Sequence, residues 1–340
     1  MVASEERAIQ RQGATLKDVA ERAGVSVATV SRVINNVETV LPENREKVLR
    51  AMAELRYSPN DLARSLRKMT SFTVGMLAPE ISNPFSNEVA TGAQRVLQEH
   101  GYLMMISDSQ SDLGKEEKNL QAFVDKRVDG LLVTSVDNDG ARLERISRRI
   151  PVVQIDHVSS EKLDSVRVDN IEGAFHAVSH LVTRGYRRIA TIAGRQSQTA
   201  GLERLEGYRR ALAFYGLAVP EGYIRYGDFV MEGGYHQCHA LLREHPDVEA
   251  LFVASNFMGI GALRAIKELG LRIPEDVAIC VFDDFLMADM INPPITVVAQ
   301  PVRAIGETAA RLLLERMQEQ TTLGARQILL KPKLIVRAST

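Results

Sequence analysis

The chain has little cysteine and no long apolar run. Cys238 and Cys280 are the only cysteines in 340 residues, and they lack the paired spacing of a disulfide framework or a zinc site. We expect both to be small core residues. No stretch approaches the roughly 18 consecutive apolar residues that span a bilayer, and the polar N-terminus is unlike a secretory signal. These absences predict a cytoplasmic protein without a membrane contact.

Common catalytic fingerprints are missing as well. The sequence contains no GxGxxG, no P-loop and no GxSxG. Two histidine pairs, His176 with His180 and His236 with His239, have the helical spacing of metal ligands. Neither pair brings the glutamate of HExxH or nearby cysteines. We therefore expect no enzyme activity, no cofactor and no metal site.

Charge permits nucleic-acid binding without proving it. The formal net charge is -1, which gives no general attraction to phosphate. Residues 1–70 nevertheless carry a small excess of positive charge, whereas residues 71–340 are slightly acidic. Two or three domains are expected from the length, because single domains usually have about 100–200 residues.

Residues 14–58 have the pattern of short packed helices. Thr15 precedes Asp18 by three positions, the spacing of a helix cap, and Gly24 suits the turn that ends this helix. Ser26 then caps a second helix that runs to about Asn35. The inward-facing residues are predicted to be Val19, Ala20, Ala23, Val30, Val33 and Ile34. Two short helices joined by a glycine turn indicate a helix-turn-helix unit.

A third helix is predicted from Pro42 to about Arg56, with Val48, Met52 and Leu55 facing inward. Leu41 supplies no hydroxyl or carboxylate cap before it. After a break at residues 57–59, residues 60–68 form a candidate helix of about two turns, which is too short to be stable alone in water.

From residue 72 onward, short apolar runs alternate with helical patterns. The runs are TVGMLAP, YLMMIS, VDGLLVTS and PVVQID and, after a break near Val168, RIATIAG, ALFVAS and VAICVFDD. This alternation is typical of parallel sheets joined by helical crossovers. The fold class is therefore α/β for the body, with two similar lobes, behind an all-helical N-terminal domain.

Polar residues follow these runs, where open parallel sheets bind ligands. The candidate binding residues are Phe85, Asp108, Asp156, Asp169, Arg204, Asn256, Asp283 and Gln300. Carboxylates, a guanidinium and an aromatic face together suit a polyhydroxylated ligand. For any single aspartate, the alternative is that it caps the helix that follows.

Two segments, TLKDVAERAGVSVATVSRVINN and REKVLRAMAELRYSPNDLARSL, resemble the lactose/galactose-repressor (LacI/GalR) family, and the likeness continues along the chain after residue 14. The resemblance implies that the second helix enters the DNA major groove. It also implies that the short helix after Pro59 and Asn60 folds when two subunits meet on an operator. Asn60 and Leu66 would then be DNA contacts, and Leu66 would wedge between base steps in the minor groove.

The resemblance also implies roles for residues of the second helix, which would be the recognition helix. Val27, Ala28 and Arg32 would face base edges, and Arg32 would contact guanine with two hydrogen bonds. The alternative for Arg32 is a solvated surface charge. The phosphate contacts or caps would be Thr15, Ser26, Thr29, Ser31 and Asn35.

For the body, the resemblance implies a periplasmic-binding-protein-like sensor whose lobes are joined near Val168, Pro293 and Ile328. The expected domains are a flexible extension (1–13), the helix-turn-helix domain (14–58), a hinge helix and linker (59–71), and an effector-binding and dimerisation domain (72–340). Within the last, the N-lobe would contain about 72–168 and 294–328, and the C-lobe about 169–293 and 329–340.

Specific effector contacts follow from the same resemblance. Arg204, Asp283 and Asp156 would hydrogen-bond effector hydroxyls, and Phe85 would pack on the sugar face. Ser255 and Asn256 replace the Asn-Asp pair that is usual in relatives, so an amide stands where a carboxylate is expected. A sugar acid or sugar phosphate therefore stays open beside a neutral sugar, because fewer carboxylates repel an anion less.

We expect a homodimeric repressor of a carbohydrate-utilisation operon that binds a pseudopalindromic operator and is released by a sugar or sugar derivative. The chain ends after its last strand pattern without a heptad tail, which favours a dimer over a tetramer. One alternative is a regulator tightened on DNA by a corepressor or protein partner. A sugar-converting enzyme with an appended DNA-binding segment would show turnover, and a secreted sugar-binding protein would need a signal peptide.

Overall fold

The computed structural model describes residues 14–34, 37, 39–57, 70–318 and 324–340. The chain divides into two compact units, Met1–Ser71 and Phe72–Thr340. None of the helices in the described ranges is long and apolar enough to cross a membrane. The predicted N-terminal extension, the predicted DNA contacts Asn35, Asn60 and Leu66, and the hinge up to residue 69 lie outside the described residues.

The described part of the first unit contains three helices, α1 (Leu16–Ala23), α2 (Val27–Ile34) and α3 (Pro42–Glu54). Thr15 caps α1, and Gly24 ends it with φ of +67°, a conformation that glycine adopts without strain. The three helices share one small core, made of Val19, Ala20, Ala23, Val30, Val33, Val48 and Ala51. Ile34, Met52 and Leu55, which were predicted to face inward, are only partly buried at its edge.

The second unit alternates strands and helices along the chain. The strands are β1 (Thr73–Ala78), β2 (Leu103–Asp108), β3 (Gly130–Val133), β4 (Val152–Ile155), β5 (Asp164–Val168), β6 (Ile189–Ala193), β7 (Ile224–Tyr226), β8 (Ala250–Val253), β9 (Ala278–Phe282), β10 (Thr296–Ala299), β11 (Gln327–Leu330) and β12 (Lys333–Ile335). The helices are α4 (Pro84–Glu99), α5 (Leu113–Asp125), α6 (Ala141–Ser147), α7 (Asn170–Thr183), α8 (Thr199–Phe214), α9 (Met231–Glu244), α10 (Asn256–Glu268) and α11 (Val302–Gln318).

The strands form two six-stranded sheets, each the centre of one lobe. The first lobe has the order β11-β5-β4-β3-β1-β2, and the second has β12-β10-β9-β8-β6-β7. The strand pairs are parallel except that β12 is antiparallel to β10. Helices cover the sheets, so the central strands are buried on both faces. Cys238 and Cys280 are fully buried in the second lobe, as predicted for core residues.

Within the described residues the chain passes between the lobes at three places, and two of them lie after the predicted positions. One passage directly follows Val168, the end of β5. The passage predicted near Pro293 falls after Ala299, because β10 pairs with β9 and β12 in the second sheet. The passage predicted near Ile328 falls after Leu330, because Ile328 is still paired with β5. The sequence indicates where short apolar strands occur, but it does not show with which strands they pair and hence which sheet they join.

Candidate functional site

The exposed face of α2 carries the residues predicted to read DNA. Val27, Ala28 and Arg32 are solvent-exposed, whereas Val30 and Val33 on the opposite side pack in the core. Val27 is 42% exposed, so its side chain is available for contact. The helix therefore presents two small apolar groups and one guanidinium on a single face, a combination that fits base edges in a major groove.

Hydroxyl groups cap the first two helices. Thr15 Oγ1 accepts a hydrogen bond from Asp18 N at 3.3 Å, and Thr15 N donates to the Asp18 carboxylate at 2.7 Å. These bonds with Thr15 lower the pKa of Asp18, first through the backbone amide and then through the hydroxyl. Ser26 Oγ accepts from Thr29 N at 3.1 Å and lies 2.9 Å from Thr29 Oγ1. Thr15, Ser26 and Thr29 thus fix helix starts, and Ser31 lies half-buried on α2.

A polar cleft opens between the two lobes of the second unit, with a cavity volume of about 430 Å³. It lies at the carboxyl ends of strands from both sheets, where parallel sheets place their ligand sites. Six of the eight predicted binding residues line it, namely Phe85, Asp156, Arg204, Asn256, Asp283 and Gln300. The long-range packing of two lobes therefore brings together residues that are far apart in sequence.

Arg204 is the central cation of the cleft and is almost fully buried. Its Nη1 donates to Asp283 Oδ2 at 3.1 Å and to the carbonyl of Ala254 at 2.8 Å, and its Nε donates to Asn170 Oδ1 at 2.8 Å. The guanidinium carbon lies 3.8 Å from the ring centroid of Phe282, a cation–π contact. Arg204 is thus held on several sides, and its position is fixed before any ligand binds.

Asp283 and Asp156 supply carboxylates to the same cleft. Gln300 Nε2 donates to Asp283 Oδ1, so both oxygens of Asp283 are engaged. In contrast, Asp156 Oδ1 is buried and has no hydrogen-bond partner among the described residues. Burial raises the pKa of Asp156 to about 6, with Arg204 opposing the shift and Asp283 adding to it. A buried acceptor without a partner costs free energy, which a ligand hydroxyl would recover.

Asp108 and Asp169 do not line the cleft, contrary to the prediction. The Asp108 carboxylate accepts from the backbone of Gln110 at 2.7 Å and of Ile81 at 3.3 Å, so it holds two loops together. Asp169 Oδ1 accepts from Glu172 N at 2.9 Å and caps α7. The helix-cap alternative fits Asp169 but not Asp108, because Asp112 caps the helix that follows Asp108. Both carboxylates bond backbone amides instead of facing the cleft.

Sequence reasoning missed several residues of the cleft. Arg195 directly follows β6 and its glycine, a position that the strand-end rule should have flagged. Asp228 and Phe229 follow β7, which has only three residues and no apolar run. Both have positive φ, which turns the chain back sharply after the strand. Gln198 completes this side of the cleft.

The charged lining of the cleft contains more acids than bases. The acids are Glu80, Asp156, Asp228 and Asp283, and the bases are Arg195 and Arg204. Arg204 and Asp283 neutralise each other. Phe85, Phe229 and Phe257 add apolar ring surfaces. Such a lining offers charge-assisted hydrogen bonds to hydroxyl groups and a slightly negative field to the ligand.

A helix-turn-helix unit together with a two-lobed body that encloses a polar cleft defines a DNA-binding regulator that senses a small molecule. Two family models match the chain, "Bacterial regulatory proteins, lacI family" over residues 15–60 and "Periplasmic binding protein-like domain" over residues 178–340. The chain belongs to the LacI family of bacterial transcription regulators. The resemblance and the fold class inferred from sequence are thereby confirmed.

Relatives match the whole length of the chain. The HTH-type transcriptional regulator CelR of Thermobifida fusca is 38% identical over 340 residues, which cover 97% of this chain and 99% of CelR. The ribose operon repressor of Escherichia coli K12 is 36% identical and covers 96% of this chain and 99% of the repressor. Both relatives are named as regulators of transcription.

Two solved structures have the same architecture. A CelR–cellobiose complex matches with a TM-score of 0.74 and 37% identity, covering 96% of this chain and 100% of that one. The Lac repressor dimer bound to operator and the anti-inducer ONPF matches with a TM-score of 0.87 and 30% identity, covering 96% and 99%. Family membership makes this chain a sequence-specific DNA-binding transcriptional regulator.

Proposed function

We propose that this chain is a cytoplasmic homodimeric repressor whose affinity for a pseudopalindromic operator falls when a neutral polyhydroxylated ligand binds the cleft. The observation that carries the proposal is the juxtaposition of Arg204, Asp283 and Gln300 with the unpartnered Oδ1 of Asp156. One ligand with adjacent hydroxyl groups has a donor for each carboxylate and an acceptor for the guanidinium. Relatives that regulate sugar operons support the same function.

The electrostatics of the cleft favour a neutral ligand over a sugar acid or a sugar phosphate. Four acids face two bases, and one of those bases is already paired. An added anion would meet net repulsion in a partly desolvated site. The amide of Asn256 removes one carboxylate from this lining, but the remaining acids still outnumber the bases.

Cellobiose is the first probe for ligand identity. The complex of CelR with cellobiose shows that a relative of this length and fold holds a disaccharide. The cavity of about 430 Å³ lies in the usual range of small-molecule sites, roughly 300–1,000 Å³. Phe85 and Phe229 provide ring surfaces for the apolar faces of sugar rings.

Dimerisation is proposed from the geometry of DNA reading. One α2 helix covers one half-site, and two helices related by twofold symmetry read a pseudopalindrome. The Lac repressor neighbour is a dimer on its operator, and this chain matches it over nearly its whole length. In the same dimer, the predicted DNA contacts include Asn35, Asn60 and Leu66. Residues 72–340 are proposed to form its effector-binding and dimerisation domain.

A ligand panel tests the proposal. The full chain is heated with neutral mono- and disaccharides, sugar acids and sugar phosphates, because a ligand that binds the native state raises the melting temperature by mass action. A duplex selected by the protein from a random pool then serves as operator. We expect a neutral sugar to stabilise the protein and to weaken operator binding.

Each contrary result has a definite meaning. Stabilisation by a sugar phosphate alone would contradict the neutral ligand. A ligand that tightens operator binding would establish the corepressor alternative. If chromatography shows that the protein converts the ligand during incubation, the non-enzymatic role is wrong.

A further inference from the structure

Helix α8 makes two kinds of contact on adjacent faces. Ala200 and Arg204 line the cleft, whereas Thr199 and Glu203 contact the first lobe. Residues four apart lie on one face of a helix, and a shift of one residue turns the face by about 100°. The cleft contacts and the lobe contacts therefore belong to one rigid segment of two turns.

Thr199 forms a bridge to the loop between β4 and β5. Its backbone N donates to His157 Nδ1 at 3.1 Å, and its Oγ1 accepts from Val158 N at 3.1 Å. His157 is 5% exposed, and burial lowers its pKa, which favours the neutral ring that can accept this bond. The loop begins at Asp156, which lines the cleft. The bridge thus joins the two lobes at the edge of the ligand site.

Glu203 forms a second bridge one turn later. Its Oε1 pairs with Nη1 of Arg167 on β5, and its Oε2 accepts from Asn170 Nδ2 at 3.0 Å. Asn170 in turn holds Arg204 through its Oδ1 at 2.8 Å. The side chains of Arg167 and Glu203 are 16% and 19% exposed, so the pair is screened far less than a surface pair. A continuous set of bonds therefore runs from the cleft cation to a strand of the first lobe.

We infer that Thr199 and Glu203 are positioning residues that couple ligand contact at Arg204 to the placement of the first lobe. The inference rests on the proposed ligand role of the cleft. Because Arg204 and both bridges lie on one short segment of α8, a ligand that moves this segment relative to the first lobe also moves both bridges. The bridges hold the lobes in one arrangement, and their loss lets the lobes move without a ligand signal.

A ligand-free measurement tests the bridges directly. Hydrogen exchange of the full chain is followed at the Thr199 and Val158 amides, which donate across the lobes. Removing one hydrogen bond corresponds to about tenfold faster exchange by local opening. We expect this acceleration at Thr199 in His157→Ala and at Val158 in Thr199→Val. His157→Asn, which returns an acceptor near the position of Nδ1, should restore slow exchange at Thr199.

The second arm measures coupling with cellobiose as the probe. Operator affinity is determined with and without cellobiose for Glu203→Gln and for the matched control Glu206→Gln. Glu206 lies on the same helix but pairs only with Arg210 among the described residues. We expect Glu203→Gln to reduce the ratio of the two operator affinities by about fivefold or more, within the usual range of allosteric coupling, while Glu206→Gln leaves it unchanged.

The two arms separate failure of the inference from failure of the proposed function. Equal coupling in Glu203→Gln and Glu206→Gln, or unchanged exchange in His157→Ala and Thr199→Val, would overturn the inference. A merely structural role would lower the melting temperature without moving the coupling ratio, which also overturns it. If the operator affinity of the wild-type protein does not respond to cellobiose, the coupling arm uses the neutral sugar that the ligand panel identifies. A protein that responds to no neutral sugar contradicts the proposed function, whereas unchanged exchange at Thr199 and Val158 overturns the inference in either case.

Discussion

Arg204 and Asp283 lie 79 positions apart in sequence and form an ion pair of 3.1 Å in the cleft. Arg204 is 3% exposed and also bonds Asn170 and the Ala254 carbonyl. Removing one partner of a buried pair typically costs about 3–5 kcal/mol, because the other charge is left without compensation. Arg204 therefore supports the fold as well as the site. We expect Arg204→Ala to have a lower free energy of unfolding than the wild-type protein.

Asp283→Asn is the cleaner test of ligand binding. Asparagine tolerates the positive φ of +72° and keeps an oxygen for Arg204, which also keeps its bonds to Asn170 and to the Ala254 carbonyl, so Asp283→Asn should lose less stability than Arg204→Ala. We expect ligand affinity to fall by roughly 1.5–3 kcal/mol, the value of a hydrogen bond to a charged group. Calorimetry with the ligand from the panel measures this loss. Asp284→Asn is the matched control, because Asp284 pairs with Arg337 and does not line the cleft. Equal losses of ligand affinity in Asp283→Asn and Asp284→Asn would show that Asp283 does not contact the ligand.

Arg32→Ala tests base reading by α2. Because the guanidinium lies on the exposed face with Val27 and Ala28, we expect a loss of roughly 1–3 kcal/mol on the selected operator and little on random DNA. Gel-shift titrations on both duplexes at one salt concentration give the two numbers. Arg22→Ala serves as control, since Arg22 pairs with Glu54 on α3. An equal loss on both duplexes for Arg32→Ala would show a phosphate contact only.

Asp156 makes stability depend on pH in a defined window. Its pKa rises from 3.8 in the unfolded chain to about 6 in the fold. Between these values the folded state keeps a proton that the unfolded state has lost, so the free energy of unfolding falls as pH rises.

Asp156→Asn should remove this dependence. At pH 7 we expect the variant to gain up to roughly 2 kcal/mol in stability, since each pKa unit corresponds to about 1.4 kcal/mol and partial solvation reduces the effect. Ligand affinity should fall in the same variant. Denaturant titrations of both proteins from pH 4 to 7 give the difference, and parallel curves would contradict the assignment.

Gly201→Ala tests the close approach at the start of α8. A Cβ at this position would lie 2.0 Å from the carbonyl oxygen of Arg195, which is backbone and cannot swing away. Overpacking of this kind costs roughly 1–3 kcal/mol and exceeds the gain of up to about 1 kcal/mol in helix propensity. We expect a lower melting temperature and weaker ligand binding. Leu202→Ala, at an exposed neighbour, should be nearly neutral, and a stable Gly201→Ala would disprove the contact.

Local interactions made the N-terminal unit predictable. The bonds of Thr15 with Asp18 and of Ser26 with Thr29 span three residues each, and Gly24 adopts the turn that its lack of Cβ allows. The helical period then placed Val19 and Val30 in the core. For the body, the apolar runs correctly predicted the strands at the centres of both sheets. The strands that escaped notice include the short edge strands β7 and β12 and the internal strand β10, a largely buried run of four residues that the sequence analysis did not single out.

The sequence by itself determined the helix caps, the buried faces and the α/β class, because these depend on residues within a few positions of one another. The tertiary structure alone decided which aspartates reach the cleft. Asp108, Asp156, Asp169 and Asp283 all occur at or just after strand ends, yet only Asp156 and Asp283 line the cavity. Asp108 and Asp169 satisfy nearby amides instead. The difference depends on how the two sheets and their crossings orient each loop, and this is set by contacts between residues that are distant in the chain.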